Sequence, residues 1–257
     1  MKPRLIVSDW NGTLISDRDD KPVLKQMAMD ELKHCAKRPW LWGRVMRLAM
    51  LRGRMEGMVA QYRDDPQSQA ELLRATYELF NTEVIDGIPM ERIDESIRRY
   101  AEKALFRLDG AFYEVFGAGA DLPAPVEILT SALQPAVTSV VQSGLSTRKY
   151  GSFNINGSRI NKRIRIKDHS ITAGGIELRN YDDKADRLRE LGRFNDHDIV
   201  YMGDDMRDAT CATVADIFVV SPLATDEFRQ HMSKKYGCMV RTPAGTPGEV
   251  YKALTKG

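Results

Sequence analysis

Cysteine is scarce in this chain of 257 residues: Cys35, Cys211 and Cys238 are far apart and odd in number. That argues against a disulfide framework, fits a reducing compartment and leaves no zinc-like spacing. Long apolar runs are missing as well. None approaches the ~20 residues needed to cross a bilayer, so no membrane span is expected. The N-terminus enters a strand almost at once, so no secretory leader and a cytoplasmic location are expected. Histidine is sparse: His34, His169, His197 and His231 show no ligand spacing and read as surface or loop residues. An excess of one charge is also lacking. The net charge of +2 predicts no particular partner, and nucleic acid is not expected as one. Asn11-Gly12-Thr13 and Asn156-Gly157-Ser158 match the glycosylation sequon, but without secretion the matches are fortuitous.

What is present describes a globular protein, with 42% hydrophobic and 29% charged residues. Leu5 to Val7 suit a buried strand that stops at Asp9, and Asn11-Gly12 then breaks it into a turn, since both residues tolerate positive φ. Residues 16–22 are polar and read as an exposed turn. From Val23 to about Phe116 apolar residues recur every three to four positions, as amphipathic helices require. Breaks are expected at Pro39, at Asp64-Asp65-Pro66 and at Asp86-Gly87-Ile88-Pro89. Residues 117–123 form a linker. Its Gly-x-Gly lacks the flanking strand and helix that a dinucleotide fingerprint needs.

After the linker, strand and helix alternate. Val126–Leu129 is a strand ending at Thr130-Ser131, and Ser131 with Gln134 has capping-box spacing for a helix to about Gln142. Residues 152–155 and 159–166 are strand-like. Asp182 to Gly192 reads as a capped helix with a glycine stop, Ile199–Met202 and Ile217–Val220 as strands, and Thr246 as the cap of a last helix. Alternation of this kind implies right-handed βαβ units and a parallel sheet. The expected fold class is therefore α/β, a Rossmann-like parallel sheet core (residues 1–15 and 117–257) with an inserted all-helical domain (residues 16–116).

Strand ends in a parallel sheet lie on one edge, so residues distant in sequence can share one crevice. Here the ends carry Asp9 and Asn11, Thr130 and Ser131, and Asp204, Asp205 and Asp208. Carboxylates gathered there repel one another unless a cation is present, and hard oxygen ligands suit Mg²⁺. Hydroxyls and helix-start amides at Thr130 and Ser131 suit an anion. Lys184 in the first turn of its helix is disfavoured by the helix dipole, which becomes a reason to suspect a role if a phosphate faces it.

Asp9-x-Asn-Gly-Thr-Leu, Ile128-Leu-Thr-Ser-Ala-Leu-Gln-Pro, Asp183-Lys-Ala-Asp-Arg-Leu and Val200-Tyr-Met-Gly-Asp-Asp-Met-Arg-Asp208 resemble, in order, the four motifs of the haloacid dehalogenase superfamily. The Thr-Ser-Ala-x-x-Pro turn is similar to that of phosphoserine-phosphatase-like members. The resemblance covers residues 4–14 and 124–222, and makes the helical insert a cap domain. It implies a Mg²⁺-dependent phosphatase of a small phosphorylated metabolite. Asp9 would be the nucleophile that forms an aspartyl-phosphate. Asp9, the Asn11 carbonyl and Asp204 would hold the metal, with Asp205 a further contributor and Asp208 orienting the metal site. Thr130 and Ser131 would bind the phosphoryl oxygens, Lys184 would pair with phosphate and with Asp9, and Thr13 would tie down the loop at the phosphate site.

One position departs from the family pattern. Typical phosphatases of the superfamily carry an acid–base aspartate where this chain has Asn11, and an amide cannot exchange that proton. Three outcomes stay open: a leaving group good enough without an acid, another residue that supplies the proton, or a long-lived aspartyl-phosphate in a slow phosphatase or phosphotransferase. A member that binds a phosphorylated ligand without turnover is the alternative from outside catalysis.

Residues 33–55 carry Lys33, Lys37, Arg38, Arg44, Arg47, Arg52 and Arg54 around Trp40 and Trp42. The expectation is a helix that buries its apolar face and turns its arginines to water or substrate; an anionic membrane or partner is the alternative. The basic run from Arg159 to Lys167 reads as a solvated hairpin face.

Overall fold

The computed structural model describes residues 4–61, 66–116, 126–144, 154–164, 170–195, 198–243 and 245–255. The expected linker, the start of the 152–155 strand, the end of the basic run, His169 and His197 lie outside them. The elements in chain order are β1 (Arg4–Ser8), α1 (Lys21–Ala36), α2 (Trp42–Gln61), α3 (Pro66–Phe80), α4 (Met90–Ala104), α5 (Gly110–Phe116), β2 (Val126–Leu133), α6 (Gln134–Gly144), β3 (Asn154–Ile164), β4 (Ile171–Glu177), α7 (Lys184–Asn195), β5 (Asp198–Gly203), β6 (Ile217–Val220), α8 (Asp226–Tyr236), β7 (Val240–Arg241) and α9 (Pro247–Thr255). The seven strands are ordered β4-β3-β2-β1-β5-β6-β7.

Two compact units share the chain. The first comprises residues 1–20, 101–157 and 179–257, the second residues 21–100 and 158–178. In the first, β1 is paired in parallel with both β2 and β5, β5 with β6, and β6 with β7. A central parallel strand is covered on both faces and must be apolar throughout; Leu5, Ile6 and Val7 are buried accordingly. One apolar cluster joins Leu5 and Val7 to Tyr201, Phe218, Leu188 of α7, and Phe228 and Met232 of α8. Elsewhere in this unit Trp10 meets Phe112 of α5 edge-on, ring centroids 6.1 Å apart.

The boundaries differ from those expected at 15/16 and 116/117. Helix α5 belongs with the sheet, because Phe112 packs on Trp10 immediately after the first strand. The β3–β4 hairpin belongs with the helices from Ser158 onward. Its antiparallel ladder runs from Arg159↔Glu177 to Ile164↔Ile171. Backbone bonds attach it to the helical segment, Ala173 N to Ile88 O at 2.8 Å and Gly87 N to Ala173 O at 3.1 Å. The Asn81 amide adds a bond in each direction with the Ile176 backbone.

Local expectations fail at four points. Strand β2 runs on through Thr130 and Ser131 to Leu133, so the helix starts at Gln134 and those residues offer no helix-start amides. Gly192 does not stop α7, which continues to Asn195. Helix α8 had no sequence signal beyond Phe228 and Met232, the two residues of its strongly polar stretch that it buries; Thr225 caps it by accepting the Phe228 N–H. On α2, Leu48 and Leu51 are buried, but Trp42, Met46 and Met50 are 63, 60 and 55% exposed. Of its arginines Arg44 alone turns inward, to the buried Glu31 at 3.0 Å; Arg47, Arg52 and Arg54 are exposed as expected, Arg47 and Arg54 pairing with Glu83.

Candidate active site

Strands β1, β2 and β5 end at the same sheet edge, and there the first unit gathers its buried polar groups. Asp9 follows β1, its N–H still bonded to Met202 O of β5 at 2.9 Å. Trp10 O then accepts from the N–H groups of Thr13, Leu14 and Ile15, which winds the chain into a tight turn. Gly12 makes that turn possible. Its φ is +71°, and a Cβ there would stand 2.1 Å from Asp204 Oδ2. The turn thus fits only a residue without a side chain, and the carboxylate of Asp204 fills the space. Thr13 donates Oγ1–H to Asp204 Oδ1 at 2.8 Å, tying the β1 turn to the end of β5.

Asp9, Asp204 and Asp208 bring carboxylate oxygens within 4.8 Å of one another, all three buried. Lys184, at the start of α7 and buried, places Nζ 3.2 Å from Asp9 Oδ1 and 2.7 Å from Asp208 Oδ1. Its position in the first helical turn, unfavourable to a cation, is compensated by these two anions. Asp208 also accepts the Tyr201 hydroxyl at 2.7 Å and the Asp204 N–H at 2.9 Å. Its oxygens hold Lys184 and the Asp204 backbone in place. Asp205 has given its carboxylate to Arg207, which binds it through the backbone N–H, Nε and Nη2.

The electrostatics follow from burial. Desolvation, against the pull of Lys184 and with repulsion from Asp208 and Asp205, raises Asp9 from 3.8 to about 6. Asp204 rises from 3.8 to about 8, through burial first and then the charges of Asp208, Asp9 and Asp205. Burial opposes the charge on Lys184, but Asp208 and Asp9 outweigh it and hold the ammonium firmly protonated. For Asp205 the Arg207 bonds overcome burial and keep the carboxyl below its ordinary range. Two buried carboxyls whose charge is unfavourable until a cation arrives, beside a third that is already engaged, form a donor set of hard oxygens.

Thr130 is buried on β2, its Oγ1 accepting the Ala132 N–H at 3.1 Å. Ser131, next to it, is half-buried. The Asn11 side chain donates to Asp20, Nδ2 to Oδ1 at 3.2 Å.

Three positioning residues escape a reading of motifs. Asp20, within the supposed exposed turn, accepts both Asn11 and the Leu133 N–H, the latter at 3.0 Å, and so couples the β1 loop to the end of β2. Ser221, buried after β6, donates to Gly12 O and Thr13 O at 3.3 and 3.2 Å. Asn180 has φ +58°, a conformation asparagine tolerates better than most residues. It donates to Thr130 O and Asn156 O at 2.9 and 2.8 Å. Every partner but Asn11 lies far away in sequence. The one available signal was the Asp17–Asp20 acid cluster that ends at α1, and it does not name a partner.

No family model matches the chain, and no curated protein matches it. Solved structures do. Cytosolic 5'-nucleotidase IIIB bound to cytidine superposes with a TM-score of 0.58 at 17% identity, covering 98% of this chain and 85% of that one. A substrate-bound phosphoserine phosphatase gives 0.53 at 15% identity, covering 98% of both chains. A hydrolase of the haloacid dehalogenase family from Salmonella enterica serovar Typhi gives 0.56 at 14% identity, covering 99% of this chain and 72% of that one. At these identities the likeness concerns the fold alone, which this chain shares with a 5'-nucleotidase, a phosphoserine phosphatase and a hydrolase of the haloacid dehalogenase family.

Proposed function

We propose that the protein is a Mg²⁺-dependent phosphatase of a small phosphorylated metabolite, working through an aspartyl-phosphate on Asp9 in the cytoplasm. One observation carries the reading: a buried lysine ammonium lies 3.2 Å from a buried aspartate at the carboxyl edge of a parallel sheet, with two further carboxylates beside it. An Asp9 oxygen attacks phosphorus; the new O–P bond forms as the ester P–O bond breaks, and the leaving oxygen departs with the bonding electrons and takes its proton from solvent, to which the water of the second step returns one. Water then attacks the same phosphorus, releasing phosphate and restoring Asp9. Lys184 stays protonated throughout, orienting Asp9 and neutralising phosphoryl oxygens. Thr130 and Ser131 offer hydroxyls to those oxygens, and Thr13 keeps the turn fixed on Asp204.

The donor set fits a hard divalent cation, because the raised Asp9 and Asp204 carboxyls gain most from one. Asp9, Asp204 and the Asn11 carbonyl are assigned to hold Mg²⁺, with Asp208 fixing Asp204 and Lys184 from behind. Asp205, committed to Arg207, is the weakest of the expected contributors. When bound, Mg²⁺ neutralises charge on the transferring phosphoryl oxygens. The inserted helical unit is assigned the part of a substrate-selecting cap.

A screen of phosphorylated metabolites with millimolar MgCl₂ tests the reading. Turnover that disappears in Asp9→Asn is expected; undiminished Mg²⁺-dependent turnover in that variant overturns it. The Asn11–Asp20 contact favours a second reading, a slow phosphatase or phosphotransferase with a long-lived aspartyl-phosphate, since the Asn11 amide is bound to a carboxylate and exchanges no proton. Acid quenching during turnover followed by mass spectrometry separates the two: accumulation of phosphorylated Asp9 belongs to the second.

A further inference from the structure

The helical unit contains a cavity of about 840 Å³ between α1, α2 and the end of α3. It is a groove half open to solvent, and the buried residues Leu24, Leu48, Leu51 and Phe80 form its floor. Met29 and Met55 also line it, and thioether side chains adapt to ligands of variable shape. A volume of this size, mostly apolar with a few polar groups, is typical of small-molecule sites.

The polar groups of the lining are unequal in sign. Lys21, Lys25 and Arg52 contribute three cations and Glu56 a single carboxylate, which Arg52 already binds at 2.7 Å. An apolar groove rimmed by lysines matches a molecule with an apolar body and an anionic end. The exposed side chains of Trp42, Met46 and Met50 are not part of this lining. We propose that this cavity binds the hydrocarbon chain of a single-chain anionic amphiphile, with the lysines at its charged end. The proposal stands on the helical unit alone, so it holds or fails independently of the phosphatase reading.

Calorimetry on the full chain with n-alkyl sulfonates of increasing length, each below its micelle concentration, provides the test; the matching n-alkyl alcohols serve as uncharged probes. Each added methylene is expected to tighten binding about fourfold until the cavity is filled. The sulfonate should bind more tightly than its alcohol. Ala28 lines the cavity, and Ala28→Phe fills part of it, so binding of the longer sulfonates should fall at least about tenfold. Lys25→Glu should weaken the sulfonate and spare the alcohol, and this surface change keeps the test open should Ala28→Phe fail to fold. A Met46→Ser/Met50→Ser variant, altered on the exposed side of α2, should bind as the parent does. Affinity independent of chain length, equal binding of sulfonate and alcohol, or loss of binding in the Met46→Ser/Met50→Ser variant would overturn the proposal.

Discussion

Asn11 and Asp20 are joined side chain to side chain, Nδ2 to Oδ1 at 3.2 Å, and the other Asp20 oxygen takes the Leu133 N–H at 3.0 Å. The amide is therefore an anchored donor, and Asp20 is the group that decides where it points. An aspartate at position 11 would meet Asp20 as a like charge, and one of the two carboxyls would keep its proton to a higher pH. That is the property of a general acid. Asn11→Asp is expected to raise kcat on ordinary phosphomonoesters by up to ~10²–10⁴, the range general acid–base help supplies. Steady-state rates across pH check this. An unchanged rate would point to another residue as the acid or to a leaving group that departs without one.

Lys184 is the cation on which two buried anions depend. In Lys184→Met the carboxylates of Asp9 and Asp208 lose their partner without regaining water. Removing one member of a buried ion pair costs about 3–5 kcal/mol. Denaturant unfolding without divalent ions should show a loss of that order, and Mg²⁺ should restore part of it by replacing the missing positive charge. Activity should stay low even with Mg²⁺, because no ammonium then orients Asp9.

That Asp9, Lys184, Asp204 and Asp208 meet at one sheet edge was legible because each sits within a short motif at a strand end or helix start. The sheet was legible for the same reason: buried parallel strands are apolar runs. Asp20, Ser221 and Asn180 were not, since their meaning lies in partners brought close only by the fold, such as Asn11 and Leu133 for Asp20. Thr130-Ser131 misled in the other direction. Hydroxyl residues before a glutamine imitate a helix cap, but β2 continues through both to Leu133, and pairing decided what local propensity could not.

The raised carboxyls make stability depend on pH in a definite direction. Asp9 and Asp204 titrate at about 6 and about 8 when folded, above the 3.8 of the free side chain. Between about pH 4 and about pH 8 the folded state holds protons that the unfolded state has released, so stability falls as pH rises through that window. Without divalent ions the unfolding temperature should drop from about pH 5 to about pH 8. A bound cation favours the ionised carboxyls, so the stabilisation by MgCl₂ should grow over the same range. Thermal unfolding with and without MgCl₂ reads both trends; a Mg²⁺ effect that shrinks with pH would contradict them.

Gly12 offers a way to displace the acidic cluster without removing any of its ligands. With φ at +71° and its absent Cβ standing 2.1 Å from Asp204 Oδ2, Gly12→Ala forces either the turn or the carboxylate to move. The turn is held by Trp10 O, by the Thr13–Asp204 bond and by Ser221, which donates to the carbonyls of Gly12 and Thr13. Asp204 is the more readily displaced, because its side chain is tied to the turn by Thr13 alone among the bonds that hold the turn. The positive φ adds a conformational penalty of about 1–2 kcal/mol, a modest loss of folding stability. Metal-linked behaviour should suffer far more. The MgCl₂-induced rise in unfolding temperature should vanish in Gly12→Ala while the metal-free protein unfolds only slightly earlier than the parent. A full Mg²⁺ response in the variant would mean that Asp204 does not belong to the cation site.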